Sequence, residues 1–315
     1  MKIGVIGAGN VGAACALSAV HRGSCRELVL VDEDRQKAES AALDVRHAVP
    51  LGPVVDVRAG GEDDLRGAAL VVITAGVNEH EGGADDPQDP KGRLKLLDQN
   101  IPVYRDVIPR VAAAPDAVLL VVTDPPDPLA DLTRQLAGHG RVLSAGTLLD
   151  SLRFRVQVAG AFGVPASSVG ATVIGEHGRS AVLLWSGVTV GDVPLEQVAR
   201  SFGMNLADLK PRVERAVKGA NIQIIRGIGA SQYAIGTVVA RLTEAVLRDE
   251  RVVLPVGTYQ EEHGLTFSLP GVVGRGGVER VLMPELTDEE RAGLQQSIEA
   301  LGKARERLGG QVPTR

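Results

Sequence analysis

Cysteine and aromatic residues are scarce in this sequence. The 315 residues include two cysteines, Cys15 and Cys25, and aromatic residues make up 3% of the chain. Two cysteines exclude a disulfide framework and a zinc-binding cysteine cluster, and they favour a reducing compartment. We therefore expect a cytoplasmic protein in which Cys15 fills the core rather than serving as a reactive thiol.

Long apolar runs and an excess of positive charge are also missing. No run approaches the roughly 20 uninterrupted apolar residues of a membrane span. The apolar start "MKIGVIGAGN" lacks the longer core and the cleavage site of a signal peptide, and a first strand explains it better. The net charge of −5 provides no basic surface for nucleic acid or for a membrane. We expect neither as a partner.

Hydrophobic residues make up 44% of the chain, which suffices for a packed core, and their order indicates the fold. In the first half, short apolar runs such as "KIGVIG", "ELVLVD" and "ALVVITAG" alternate with helical patterns. Continuous apolar strands imply a parallel sheet covered on both faces. After Gly146 longer helical segments dominate. The sequence predicts an α/β fold, with a doubly wound parallel sheet in residues 1–146 and a C-terminal α+β substrate domain in residues 147–315.

A glycine-rich turn follows the first strand. "GAGNVG" spaces Gly7, Gly9 and Gly12 as G-x-G-x-x-G and opens a helix, so that helix amides can face a pyrophosphate. Such turns also occur for purely steric reasons. Asp32, twenty residues beyond Gly12 at the end of the second strand, can accept hydrogen bonds from the adenosine ribose and would repel a 2′-phosphate. The pattern predicts a Rossmann domain that binds NAD rather than NADP.

One of the six histidines has a distinctive setting. His177 in "VIGEHG" ends an apolar strand between glycines, where an imidazole can enter a cleft. "LLDSLRFR" places Asp150 and Arg153 three apart at a helix start, so their side chains are neighbours. They could form a simple surface ion pair. Alternatively, Asp150 orients His177 while Arg153 holds a substrate carboxylate with two hydrogen bonds.

These motifs occur in the order found in one enzyme family. "GAGNVG", Asp32, "VITAG", "GRLKLLDQN", "TDPPD", "GTLLDSLRFR", "GEHG", "WSG" and "GASQYAIG" run through essentially the whole chain. The sequence resembles the NAD-dependent L-lactate/malate dehydrogenase family, and the bacterial L-lactate dehydrogenase branch is the most similar.

The resemblance implies catalytic roles and a cofactor site. His177 would be the acid/base, Asp150 its orienting partner, Arg153 the carboxylate clamp and Arg93 the group that polarises the carbonyl. Ser231 would occupy a pocket position where a hydroxyl favours lactate over malate. The resemblance further implies a homodimer or homotetramer and no metal, and it places along NAD the residues Asn10, Val11, Thr74, Ala75, Gly76, Asn100 and Ile235.

The sequence departs from the family pattern at several positions. The usual Asn-Pro is Asp124-Pro125, and a carboxylate beside the substrate's own carboxylate would be repulsive unless protonated, turned away or matched to a different substrate. Arg179 replaces a usual acid after "GEHG". Gly170 stands where sugar-bisphosphate-activated relatives carry a histidine, although Arg155 matches their arginine, so activation of that kind is not expected.

The stretch "EHEGGADDPQDPKGR", which ends at Arg93, raises a choice between a linker and a lid. We interpret residues 77–93 as an active-site lid because sheet patterns continue on both sides. If its end aligns with the family loop, Gln88 takes the specificity position, with Pro87 the nearest competitor. A neutral glutamine suits a small apolar substrate tail, whereas a second carboxylate calls for a cation.

The leading hypothesis is therefore an NAD-dependent L-2-hydroxy-acid dehydrogenase, most simply one that interconverts pyruvate and L-lactate. A malate dehydrogenase, or an enzyme for a larger or unusual 2-oxo acid, is the alternative within this class. A non-catalytic NAD-binding paralogue is the alternative from another class, because Asp124 and Arg179 alter the charge near His177.

Overall fold

The computed structural model describes residues 1–78, 81–82 and 92–309. Gln88 and most of the acidic part of the predicted lid lie outside these residues. Among the described residues, no helix is long and apolar enough to cross a membrane.

The first half of the chain builds a parallel sheet. The strands are β1 (Lys2–Ile6), β2 (Glu27–Val31), β3 (Asp56–Ala59), β4 (Ala68–Ile73), β5 (Val118–Val121) and β6 (Val142–Ser144). They lie side by side in the order β6-β5-β4-β1-β2-β3, and every neighbouring pair is parallel. Because chain order reverses between β1 and β4, a crevice opens at the carboxyl ends of these two strands.

Helices cover both faces of this sheet. In the first half they include α1 (Asn10–Arg22), α2 (Arg35–Ala48), α3 (Gly92–Arg110) and α4 (Pro126–Ala137). Side chains of the central strands alternate between two separate apolar cores, one containing Val5, Leu70 and Leu120 and the other Ile6, Val71 and Leu119. This arrangement confirms the predicted doubly wound α/β fold.

The described part of the second half, which ends at residue 309, contains five helices and two small sheets. Its helices are α5 (Leu148–Phe162), α6 (Leu195–Ser201), α7 (Leu206–Ile228), α8 (Tyr233–Leu247) and α9 (Asp288–Arg307). The short strands β7 (Val169–Gly170), β10 (Thr189–Val190) and β11 (Val193–Pro194) form one small antiparallel sheet, and β8 (Val173–Ile174) pairs with β9 (Val182–Leu183).

Three longer strands of the second half extend the first sheet. They are β12 (Val252–Gln260), β13 (Leu265–Gly274) and β14 (Gly277–Val281), and they form an antiparallel meander. β12 joins β6 through the pairing of Gly257 with Ser144. One sheet therefore carries strands from both sides of the expected boundary at residue 146, and the α1–α8 packing also joins the two halves.

Candidate active site

The glycine-rich turn leaves space for a cofactor. Gly7 has φ +96°, and a Cβ there would lie 2.6 Å from the Ala75 nitrogen; a Cβ on Gly12 would lie 1.8 Å from the Gly7 oxygen. The fold itself therefore requires these two glycines. Gly9 differs, because the nearest atom to a Cβ there is the Lys37 Nζ at 3.8 Å. This open approach, with a cation at its edge, fits the pyrophosphate of NAD.

Asp32 both stabilises the turn and lines the adjoining cleft. Its carboxylate accepts hydrogen bonds from the Ala8 nitrogen at 2.6 Å and the Asp34 nitrogen at 3.0 Å. Lys37 Nζ lies 3.7 Å from Asp32 Oδ2. The cleft beside Asp32 is also lined by Gly7, Gly9, Thr74, Ala75 and Gly76.

A second cleft lies next to the first and contains the residues that are candidates for catalysis. Thr74 and Gly76 line both clefts, and the second also has Val11, Ile235, Ser231, Asp124 and His177 in its walls. Asn100 is fully buried. Its side-chain oxygen accepts a hydrogen bond from the Val77 nitrogen at 2.7 Å, and its side-chain nitrogen donates to the main-chain oxygen of Asp124 at 2.9 Å. Asn10 is exposed at the start of α1.

His177 is held in an ion-pair geometry with Asp150. His177 Nδ1 lies 2.5 Å from Asp150 Oδ2, and the Asp150 side chain is 7% exposed. Burial lowers the pKa of His177, but the charge and hydrogen bond of Asp150, with the charge of Asp124, outweigh it, so the pKa is raised. Burial raises the pKa of Asp150, yet His177 and Arg153 reverse this and lower it. The pair therefore favours an imidazolium beside a carboxylate.

The loop that carries His177 is fixed by close backbone contacts. Gly175 has φ +84°, exchanges two main-chain hydrogen bonds of 2.9 Å with Ser268, and leaves no room for a Cβ beside Ser297 Oγ. Ser297 Oγ also accepts a hydrogen bond from the Glu176 nitrogen at 2.6 Å. The "GEHG" sequence thus turns sharply after β8 and sets the imidazole toward the cleft.

Arg153 lies on the same side of α5 as Asp150. Its Nη1 is 3.0 Å from Asp150 Oδ1, and its Nη2 donates to Ser231 Oγ at 3.4 Å. The pair is largely buried, which distinguishes it from an ordinary surface ion pair. The structure therefore brings His177, Asp150, Arg153 and Ser231 into one cluster.

Arg93 reaches this cluster from the first turn of α3. Its Nη2 lies 2.7 Å from Asp124 Oδ1 and donates to the main-chain oxygen of His177 at 2.6 Å. The sequence predicts Arg93 and Asp124 in the site separately, and their ion pair was not expected. Two signals in the sequence could have indicated this pair. Arg93 is a cation seventeen residues after Gly76, and Asp124 is a carboxylate where the family carries an amide.

Asp127 is a further residue that the sequence reasoning did not single out, although it stands in "TDPPD". It is 1% exposed in the first turn of α4. Its Oδ2 accepts from the His177 nitrogen at 3.0 Å, and its Oδ1 accepts from Ser144 Oγ at 2.6 Å. Burial raises the pKa of Asp127 to about 6. This carboxylate anchors the main chain of His177 to the Rossmann sheet.

Other positions that depart from the family pattern have defined surroundings. Arg179 lines the cleft that contains Arg93, Arg153 and His177, together with Lys218 and Asn221 of α7. Arg155 is turned toward the main chain and donates to the Ala171 oxygen at 3.1 Å, next to Gly170 in β7. Gln88 lies outside the described residues.

A dinucleotide turn at a switch point, beside a paired histidine and aspartate, defines the class of dehydrogenases that transfer hydride to or from a nicotinamide. Family models identify the class more closely. Residues 1–142 match the lactate/malate dehydrogenase NAD binding domain, and residues 147–308 match the lactate/malate dehydrogenase alpha/beta C-terminal domain. The chain belongs to the lactate/malate dehydrogenase family, which confirms the resemblance, and it is an NAD-dependent oxidoreductase.

Individual relatives agree over nearly the whole chain. The L-lactate dehydrogenase of Deinococcus radiodurans is 42% identical and that of Thermus aquaticus 43%, each aligned over 98% of this chain and 100% of the relative. Among solved structures, the ligand-bound minor L-lactate dehydrogenase of Enterococcus mundtii has a TM-score of 0.90 at 32% identity, covering 98% of this chain and 99% of that one.

Proposed function

We propose that this protein is an NAD-dependent L-lactate dehydrogenase, which reduces pyruvate with NADH to L-lactate and catalyses the reverse reaction. The observation that carries the proposal is the cluster of His177, Asp150 and Arg153 beside Ser231 in the cleft that continues from the dinucleotide turn. The relatives named above are L-lactate dehydrogenases, which supports this substrate over others in the family.

Each residue of the cluster has one role in this proposal. Arg153 binds the substrate carboxylate through its planar fork, and this places the carbonyl near His177. His177 gives its proton to the carbonyl oxygen, while Asp150 stabilises the imidazolium and fixes the ring. Arg93 polarises the carbonyl as negative charge develops on the oxygen. The bound cofactor supplies the hydride from its nicotinamide C4.

The cofactor contacts belong to the same proposal. Gly7, Gly9 and Gly12, with Asn10 and Val11, would hold the pyrophosphate, and Asp32 would bind the adenosine ribose. Thr74, Ala75 and Gly76 would line the path toward the nicotinamide end, Asn100 would support them from the core, and Ile235 would lie against the nicotinamide. The clefts described above bring most of these residues together, which supports their assignment.

Two residues argue for a small, uncharged substrate tail. Ser231 places a hydroxyl beside Arg153, and Gln88 would add a neutral side chain from the lid. Malate dehydrogenase remains the second candidate, favoured by Arg179 and Lys218, which add positive charge to the cleft. Oxaloacetate, with a second carboxylate, would benefit from that charge.

A panel of 2-oxo acids separates these candidates. We expect NADH-dependent reduction of pyruvate with kcat/KM at least tenfold above that of oxaloacetate, because neither Ser231 nor Gln88 offers a cation to a second carboxylate. Steady-state rates with pyruvate, oxaloacetate and longer 2-oxo acids at one pH and salt concentration give the comparison. Preference for oxaloacetate by more than tenfold would reject the lactate assignment and the Gln88 interpretation.

We further propose a homodimer or homotetramer in the cytoplasm, with an NAD-binding domain at residues 1–146, its lid near 77–93, and a substrate domain at residues 147–315. Large apolar side chains on the surface of the single chain support assembly: Leu51 is 92% exposed, Val54 75% and Tyr233 70%. These side chains would be covered in an oligomer. Light scattering of the purified protein, if it gave the mass of a single chain, would reject this assembly.

A further inference from the structure

Asp124 lies where its charge acts on two catalytic groups. Its Oδ1 is 2.7 Å from Arg93 Nη2, and the side chains of Arg93 and Asp124 are 24% and 13% exposed. The same Nη2 contacts the main-chain oxygen of His177 at 2.6 Å. Asn100 fixes the Asp124 main chain through a hydrogen bond of 2.9 Å to its oxygen. The carboxylate is therefore neither turned away from the site nor loosely placed.

We propose that Asp124 is an electrostatic positioning residue, which holds Arg93 against the main chain of His177 and keeps the His177 imidazole protonated for the reduction. The inference rests on the proposed function, since it takes His177 as the proton donor. A carboxylate at this position would repel the substrate's own carboxylate if no cation lay beside it. Arg93 already balances the charge of Asp124 before the substrate binds.

The charges around His177 show why this second carboxylate matters. Asp150 bonds the imidazole but is shared with Arg153, 3.0 Å away. Arg93 also lies 3.9 Å from Glu176 Oε1. Without the carboxylate of Asp124, however, less of the positive charge of Arg93 would be balanced close to the histidine, and this would disfavour the imidazolium. Within residues 1–78, 81–82 and 92–309, the charged groups around His177 come from several elements. They are Asp150 and Arg153 of α5, Arg93 of α3, Asp124, Asp127 of α4, Lys218 of α7, and its neighbours Glu176 and Arg179.

The pKa of His177 is raised, and this direction agrees with the role assigned to Asp124. Burial and Asp150 have the largest effects on the pKa of His177. Of the smaller effects, the charge of Asp124 raises this pKa and the charge of Arg93 lowers it. A negative charge within a few ångströms of an imidazole typically raises its pKa by about one unit or more. Reduction requires the protonated ring, so its rate declines as pH rises through the pKa, and a lower pKa moves that decline to lower pH.

The test compares Asp124→Asn with Asp124→Glu. In Asp124→Asn, we expect the alkaline limb of the kcat/KM profile for pyruvate reduction to move down by about one pH unit. Asp124→Glu retains a carboxylate and should keep the limb near its original position. Asp131→Asn is the control for loss of an aspartate charge, because Asp131 accepts from the Thr266 nitrogen at 2.9 Å and lines none of the clefts described above.

A titration that does not depend on turnover separates failure of this inference from failure of the proposed function. Nuclear magnetic resonance of protein with carbon-13-labelled histidines, with His177→Asn to assign the signal, follows the imidazole directly. The same downward shift in Asp124→Asn supports the proposal even if pyruvate is not the substrate. An unchanged His177 titration in Asp124→Asn would overturn it, whether or not the enzyme reduces pyruvate.

Discussion

Replacing His177 with asparagine should lower kcat for pyruvate reduction by about 10²- to 10⁴-fold, the usual contribution of a general acid. Asparagine preserves much of the ring's size but cannot transfer the proton, and Asp150 then has no imidazolium to stabilise. NADH affinity, measured by fluorescence titration, should stay within about twofold, because the glycine-rich turn and Asp32 lie in the adjoining cleft.

His263→Asn is the matched control for that variant. His263 lies on the surface between β12 and β13 and packs against Phe267, with ring centroids 5.5 Å apart. Its replacement should leave both kcat and NADH affinity near those of the unmodified protein. Near-normal turnover in His177→Asn would remove His177 from the chemistry and with it the roles assigned to Asp150 and Asp124.

Replacing Arg153 with glutamine should lower kcat/KM for pyruvate by about 10²- to 10⁴-fold, mostly through a higher KM. The variant loses two charge-assisted hydrogen bonds to the substrate carboxylate, each contributing about 1.5–3 kcal/mol. It also leaves Asp150 without the cation now 3.0 Å away, which weakens the orientation of His177. Steady-state kinetics over a wide pyruvate range measure both effects.

Arg134→Gln provides the comparison for Arg153. Arg134 lies on α4, pairs with Glu261 at 3.0 Å and stacks over Tyr259, away from the clefts of the site. Its loss should change stability slightly and kcat/KM by less than about twofold. If Arg153→Gln kept the pyruvate KM of the unmodified protein, the carboxylate would have to bind elsewhere, with Arg179 or Lys218 the first residues to test.

Local patterns were enough to predict the framework of the site. The G-x-G-x-x-G turn, Asp32 at the second strand end and the spacing of Asp150 and Arg153 are short-range features, because the geometry of one strand, turn or helix determines them. His177 was recognisable because a strand ending between glycines leaves few positions for its side chain. Continuous apolar runs likewise predicted the parallel strands β1 to β6.

Contacts between distant segments could not be predicted in this way. β12 meets β6 through Gly257, and a Cβ there would lie 2.0 Å from Ser144 Oγ and 2.5 Å from Asp127 Oδ1. No local pattern records that approach, although it joins the second half of the chain to the first sheet. The same limit applies to the Arg93–Asp124 pair and to the hydrogen bond from the His177 nitrogen to Asp127, which tertiary packing creates.

Transfer of a labelled hydride from NADH to pyruvate shows directly whether the protein is an L-lactate dehydrogenase. NADH carrying deuterium at both C4 positions would be incubated with pyruvate and the purified protein, and the product analysed for chirality and label. We expect one L-lactate per NADH oxidised, with deuterium on C2, and loss of this product in His177→Asn. D-lactate, unlabelled L-lactate, or no oxidation of NADH in the presence of pyruvate would contradict it.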